Sequence, residues 1–126
     1  MNMRTPLSKV RGLGSAKSGT EHFWHQRLTA VANIPLVIFL VWFCAHSVGA
    51  QRADMVAVIS NPLVALMLVF TIISVTWHMR LGLQVVIEDY VHSEGTKLIC
   101  LLANTFFSLA VALTGLFAVL KISFGG

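Results

Sequence analysis

Charge is scarce in this sequence. Only 11% of its 126 residues are Asp, Glu, Lys or Arg, against about 25% in an average soluble domain. No charged residue falls between Arg27 and Arg52, between Asp54 and Arg80, or between Lys97 and Lys121, which leaves three uncharged stretches of 23 to 25 residues. About 20 apolar residues cross a bilayer core as a helix, so a chain this short has no material left for a water-soluble core. Cysteine is also scarce. Cys44 and Cys100 both sit in apolar stretches, with no CxxC and no Cys/His cluster. That pattern excludes a zinc or iron–sulfur site built by this chain alone and leaves the two thiols as small apolar fillers. No flavin fingerprint is present. The net charge of +4 comes without the basic patch and interleaved aromatics that single-stranded nucleic acid requires. Basic residues flanking membrane spans account for it.

The apolar share is 56%. The chain divides into a polar, basic tail over 1–19 and a membrane domain over 20–126, with spans at about 28–48, 62–90 and 97–120. The tail holds Arg4, Lys9, Arg11 and Lys17 and no acid. It lacks the apolar core of a secretory signal. Its short, glycine-rich character fits a bacterial cytoplasmic tail better than a mitochondrial transit peptide. The first span contains Pro35, which membrane helices tolerate because neighbouring groups satisfy the freed carbonyl. Gly49 to Met55 reads as a short polar connection. Asn61 followed by Pro62 is a helix start, an N-cap and a first-turn proline. Ser93-Glu94-Gly95 reads as a turn with Thr96 as the cap of the last span. The expected fold is all-α: an integral membrane bundle of three helices running up, down and up, part of a larger hetero-oligomeric bundle. With Arg4, Lys9, Arg11, Lys17 and Lys97 on one side and Arg52 and Lys121 on the other, the positive-inside rule places the N-terminus in the cytoplasm.

His78 is the residue that raises function at all. It sits well inside the second span, where an ionisable group is costly and faces the bundle or a cofactor rather than lipid. A neutral imidazole is an axial ligand for haem iron; it is equally a group that bonds a neighbouring helix carbonyl, and position alone leaves both readings open. At about 100° per residue, Gly82 and Asp89 share its helix face. Gly82 admits close approach of a flat macrocycle or of another helix. Arg80 points nearly the opposite way, toward a partner subunit, a propionate or a polar cavity. Asp89 and Tyr90 lie roughly 16–18 Å further along the helix, at the interface. A phenol there is a membrane anchor or a donor to a quinone carbonyl, with the carboxylate beside it to orient it or supply protons. At the start of the first span, the run His22-Phe-Trp-His25-Gln-Arg27 gathers two imidazoles, an indole and a guanidinium. Arg27 can pair with carboxylates bidentately or snorkel beside an aromatic belt. His46 lies too far toward the other end to share a haem with His78, and Trp42 and Trp77 read as packing or belt residues.

The run His78-Met-Arg-Leu-Gly82-Leu-Gln84-Val-Val-Ile-Glu88-Asp89-Tyr90-Val91-His92 resembles the second-helix signature of the small hydrophobic membrane-anchor subunit of succinate dehydrogenase. The segment from Gly19 to Ala30 resembles the start of the first helix in that family, especially its alphaproteobacterial members. The likeness covers nearly the whole chain. It implies that His78 is one axial ligand of haem b, shared with the larger cytochrome b anchor subunit, which supplies the other histidine. It implies that Tyr90 donates to a carbonyl of ubiquinone, that Asp89 supports that site, and that Arg27, with His22 or His25, lies near the haem propionates.

The resemblance further implies an electron-transfer role in the bacterial inner membrane. Electrons from succinate would reach ubiquinone through FAD and iron–sulfur clusters held only by the partner flavoprotein and iron–sulfur subunits. The chain would not be catalytic alone. The rival reading is a purely structural anchor of a respiratory enzyme with no redox group of its own. An imidazole at membrane depth speaks against it. A small transporter is disfavoured because no acidic residue lies deep in a span and no internal repeat suggests alternating access.

Overall fold

A computed structural model describes residues 5–12 and 19–125. Within them lie α1 (Pro6–Val10), α2 (Gly19–Ser47), α3 (Arg52–Ile59), α4 (Pro62–Tyr90) and α5 (Glu94–Ser123), and no strand. Three helices are long and apolar enough to span a membrane, over Thr20–Ser47, Pro62–Tyr90 and Glu94–Ser123, with 28, 29 and 30 residues. At 1.5 Å per residue these are roughly 42–45 Å long. A hydrocarbon core is about 30 Å thick, so their ends reach into the headgroup layers. Of the basic tail only residues 5–12 and 19 are described. They include the short α1, which Thr5 caps by accepting the Ser8 N–H at 3.2 Å. Arg4 and Lys17 lie outside the described residues.

Local chemistry sets the helix ends. α2 runs through Pro35 without a break and stops at Ser47. There the Ser47 hydroxyl donates back to the Phe43 carbonyl at 2.6 Å, and Gly49 takes a φ of 76°, the left-handed conformation that terminates helices and suits glycine. The connection that follows is not simply a polar loop. It folds into α3, whose start is tied by the Asp54 carboxylate accepting the Gln51 N–H at 3.3 Å and whose Ile59 is buried. The Asn61 side chain accepts the Leu63 N–H at 3.0 Å and Pro62 opens α4, as the sequence led us to expect. The second turn is tighter than expected. It occupies Val91 to Ser93, and α5 begins at Glu94 on an N-cap at Ser93. Thr96 therefore lies inside the helix and is not its cap. A first-turn carboxylate, Glu94, is favoured at this end by the helix dipole.

Helix α4 is central, packed on α2 along one side and on α5 along the other. At the end near α3, buried Ile59, Ala65, Leu68 and Val119 form an apolar cluster joined by Phe39, Phe43 and Ile122. Gly115 of α5 comes so close to α4 that a Cβ there would sit 3.2 Å from the Ile72 Cδ1. This is the small-residue contact that lets membrane helices approach. The interior is thin: no side chain among the described residues is fully buried, whereas Phe106, Phe107, Ile38 and Leu113 stand exposed. Apolar surface of that extent needs lipid or partner helices to cover it.

Candidate functional site

Along the contact between α2 and α4, residue numbers rise on one helix as they fall on the other. The Ser74 hydroxyl donates to the Asn33 Oδ1 at 2.7 Å. One turn on, Thr29 Oγ1 lies 3.0 Å from His78 Nδ1. Beyond that, Gly82 faces the Gln26 side chain, whose Nε2 would be 3.8 Å from a Cβ at that position. The polar residues of α2 that meet α4 are thus Gln26, Thr29 and Asn33, spaced three and four apart, which is one face of a helix.

Past His78 the two helices enclose a cleft of about 500 Å3 lined by His22, Phe23, Gln26, Arg27, His78 and Val85. Volumes of that order hold small ligands. Two polar atoms on its walls, His22 Nε2 and Gln26 Oε1, are buried without a hydrogen-bond partner. Buried polar atoms are almost always paired, with protein or with water, so these two are open to water or to a bound group. Arg27 stacks its guanidinium over the Phe23 ring at 4.3 Å and has no carboxylate partner among the described residues. Its charge is therefore available at the cleft. No group of three or more His, Cys, Asp or Glu converges among the described residues.

The other candidates fall away from this cleft. Arg80 faces α5, where its Nε donates to Thr105 Oγ1 at 3.4 Å and its guanidinium lies 6.0 Å over the Trp77 ring. It borders a separate cavity of about 270 Å3 with Thr76, Trp77, Thr105 and Ser108. That cavity is walled also by Leu109 and Ala112 and is mainly apolar, so within this chain the polar company of Arg80 is Thr105. Beside it, the Asn104 Nδ2 donates to the Arg80 carbonyl at 2.9 Å, a side chain-to-backbone bond between two spans. Asp89 is exposed and Tyr90 is 77% exposed. Both close α4 on the side where α2 begins, and neither lines the cleft. His46 stacks on Trp42 at 5.5 Å, roughly 25 Å along α2 from Thr29, which keeps it out of reach of His78. His25 is exposed and meets Trp77 edge-on at 6.3 Å.

Comparison with known proteins settles the family. Residues 1–113 match the succinate dehydrogenase/fumarate reductase transmembrane subunit family. The chain belongs to that family. It is 34% identical to the succinate dehydrogenase membrane anchor subunit of Reclinomonas americana over 66% of this chain and 72% of that one. It is 28% identical to the succinate dehydrogenase hydrophobic membrane anchor subunits of Paracoccus denitrificans, over 99% and 96% of the two chains, and of Rickettsia bellii, over 94% of each. No solved structure matches the chain significantly. Family and fold together make this a multi-pass membrane protein with a membrane-anchor role in succinate dehydrogenase.

Within a transmembrane subunit of this kind, Thr29, Gln26 and Asn33 are the residues that sequence reasoning passed over. Their signal was nonetheless present. His22, Gln26, Thr29 and Asn33 recur at steps of four, three and four, a polar stripe at helical period on an otherwise apolar span. Such a stripe marks the face turned away from lipid.

Proposed function

We propose that this chain helps hold haem b and ubiquinone in succinate dehydrogenase, with the His78 imidazole as one axial ligand. The observation that carries the proposal is His78 lining, at membrane depth, a cleft whose other wall offers a free guanidinium and two unpartnered polar atoms. The residues present fit a haem. The imidazole supplies a nitrogen donor. Arg27 matches carboxylates such as propionates, and His22 Nε2 stands beside it ready for a hydrogen bond. When bound, haem supplies one-electron chemistry at its iron. The family resemblance implies that a second histidine would come from the larger cytochrome b anchor subunit, and His46, at the far end of α2, would not serve.

Tyr90 and Asp89 are assigned to the quinone. Their place at the exposed end of α4 suits a wall completed by the iron–sulfur subunit and the larger anchor. There the Tyr90 phenol donates to a ubiquinone carbonyl, and the Asp89 carboxylate orients it and supplies protons. FAD and the iron–sulfur clusters belong to the soluble partners. By the positive-inside rule, the α2 start and the α4 end face the cytoplasm of a bacterium, which brings the quinone site to the side where those partners dock.

The test is a reduced-minus-oxidised spectrum of the whole complex purified through a tag on this chain. A b-type signal that His78→Ala weakens or alters is the expected result. An unchanged bis-imidazole spectrum in His78→Ala would refute the ligand assignment. No haem signal at all, in an intact complex that still reduces quinone, would leave a purely structural anchor.

A further inference from the structure

Thr29 has one hydroxyl proton and three neighbours that could take it. Its Oγ1 lies 2.7 Å from the His25 carbonyl oxygen, 3.1 Å from the Gln26 carbonyl oxygen and 3.0 Å from His78 Nδ1. The first is the back-bond that threonine commonly forms within a helix. It is the shortest of the three and close to the optimum for an O–H···O bond. With the proton committed there, the oxygen turns lone pairs toward His78, and the bond to Nδ1 exists only if Nδ1 carries the hydrogen. A neutral imidazole has a single N–H, so Nε2 is then left with its lone pair. No described residue bonds Nε2, and no other histidine among the described residues has a ring nitrogen held by a side-chain hydroxyl.

We infer that Thr29 is a positioning residue that holds His78 in the Nδ1–H tautomer and so presents Nε2 to the iron. The inference rests on the reading of His78 as a haem ligand and adds the residue that selects which nitrogen binds. The reverse tautomer would put a hydrogen on Nε2 and abolish its donor capacity. A hydrogen bond given by Nδ1–H would also make Nε2 a stronger electron donor to a bound metal, and stronger donation would favour ferric over ferrous iron. Ring rotation is restrained as well, because turning the imidazole about its Cβ bond moves Nδ1 off Thr29. The hydroxyl is only partly buried, but it faces α4 rather than lipid, and the helix contact on either side of it is closed by the Asn33–Ser74 bond and by Gln26 against Gly82.

The experiment uses the whole complex with Thr29→Val, which removes the hydroxyl at nearly constant volume, and Thr29→Ser, which keeps it. Haem retained per flavin, the haem midpoint potential and the ferric low-spin g values are read for each. Loss of an outer partner of a metal-bound histidine typically weakens metal binding 10–100-fold, so Thr29→Val should lose haem during purification, shift its g values and raise its potential. A tenfold loss of preference for the ferric state reads as ~59 mV. Thr29→Ser should match the unaltered complex. Equal haem content, potential and g values in Thr29→Val would overturn the inference, as would a Thr29→Ser shift as large as that of Thr29→Val, which would indicate packing rather than the hydroxyl. If Thr29→Val does not assemble, Thr29→Ala is read by the same criteria. His78→Ala separates the two levels. An unchanged haem there defeats the ligand reading itself, whereas a disturbed haem there with a silent Thr29→Val defeats only the tautomer role.

Discussion

Substituting Gly115 by alanine tests the packing that supports the site. A Cβ at this position would lie 3.2, 3.3 and 3.5 Å from the Cδ1, Cγ2 and Cγ1 of Ile72, so α5 cannot take the methyl unless Ile72 shifts by a few tenths of an ångström. Overpacking of this kind costs about 1–3 kcal/mol. Alanine regains up to about 1 kcal/mol over glycine in a helix interior. The net loss is then about 0–3 kcal/mol, too variable to decide the matter alone. A double-mutant cycle decides it. Ile72→Val removes the closest atom and by itself costs about 0.5–1.5 kcal/mol. If the contact is real, Gly115→Ala and Ile72→Val together should cost less than the sum of the two by about 1 kcal/mol, within the range measured for touching residues. Gly95→Ala serves as the control, because nothing lies within 4 Å of a Cβ there. The assay is unfolding by SDS in mixed micelles followed by tryptophan emission, Trp77 lying on α4. Additivity within roughly 0.5 kcal/mol would refute the close approach of α4 and α5.

Two further outcomes follow from the site. Gly82→Ala should leave the fold of this chain intact, since its Cβ would meet Gln26 at an ordinary 3.8 Å. A loss of haem from the complex carrying it would therefore report a macrocycle or a partner helix lying against Gly82, and normal haem content would show that the space is not used. Tyr90→Phe should lower quinone reduction by about 10- to 100-fold, the scale of one lost hydrogen bond to a reacting group, while succinate-driven reduction of artificial dyes is retained. Equal losses in both assays would show failed assembly instead.

The long apolar stretches, the Asn61–Pro62 start of α4 and the depth of His78 could be read from the chain because each depends on a local property: hydropathy, capping chemistry or distance along one helix. The short α3 was missed because its eight residues carry no span-length signal and its helix is completed by packing Ile59 beneath α4 and α5. Thr96 was misplaced as a cap because Ser93, Glu94, Gly95 and Thr96 all favour turns or helix starts, and the local sequence does not choose among them; in the structure Ser93 takes the position. Arg80 shows the same limit. Its direction, opposite to His78, follows from 100° per residue. Its surroundings, Thr105 and the Trp77 ring, depend on where α5 lies.

Hydropathy and motif spacing along the chain reveal a three-span membrane protein of the succinate dehydrogenase anchor type, with one imidazole deep in its second span. Which residues meet that imidazole depends on how the helices pack. The polar stripe of α2 marks its inward face, but α4 and α5 are apolar on almost every side, as the exposed Phe70, Ile73, Leu102 and Phe106 show, and hydrophobic periodicity leaves their inward faces unmarked. The rotation and vertical register of α2 against α4 are set by side-chain fit and by a few hydrogen bonds across the contact. One turn of slip would move Thr29 by about 5.4 Å and part it from His78.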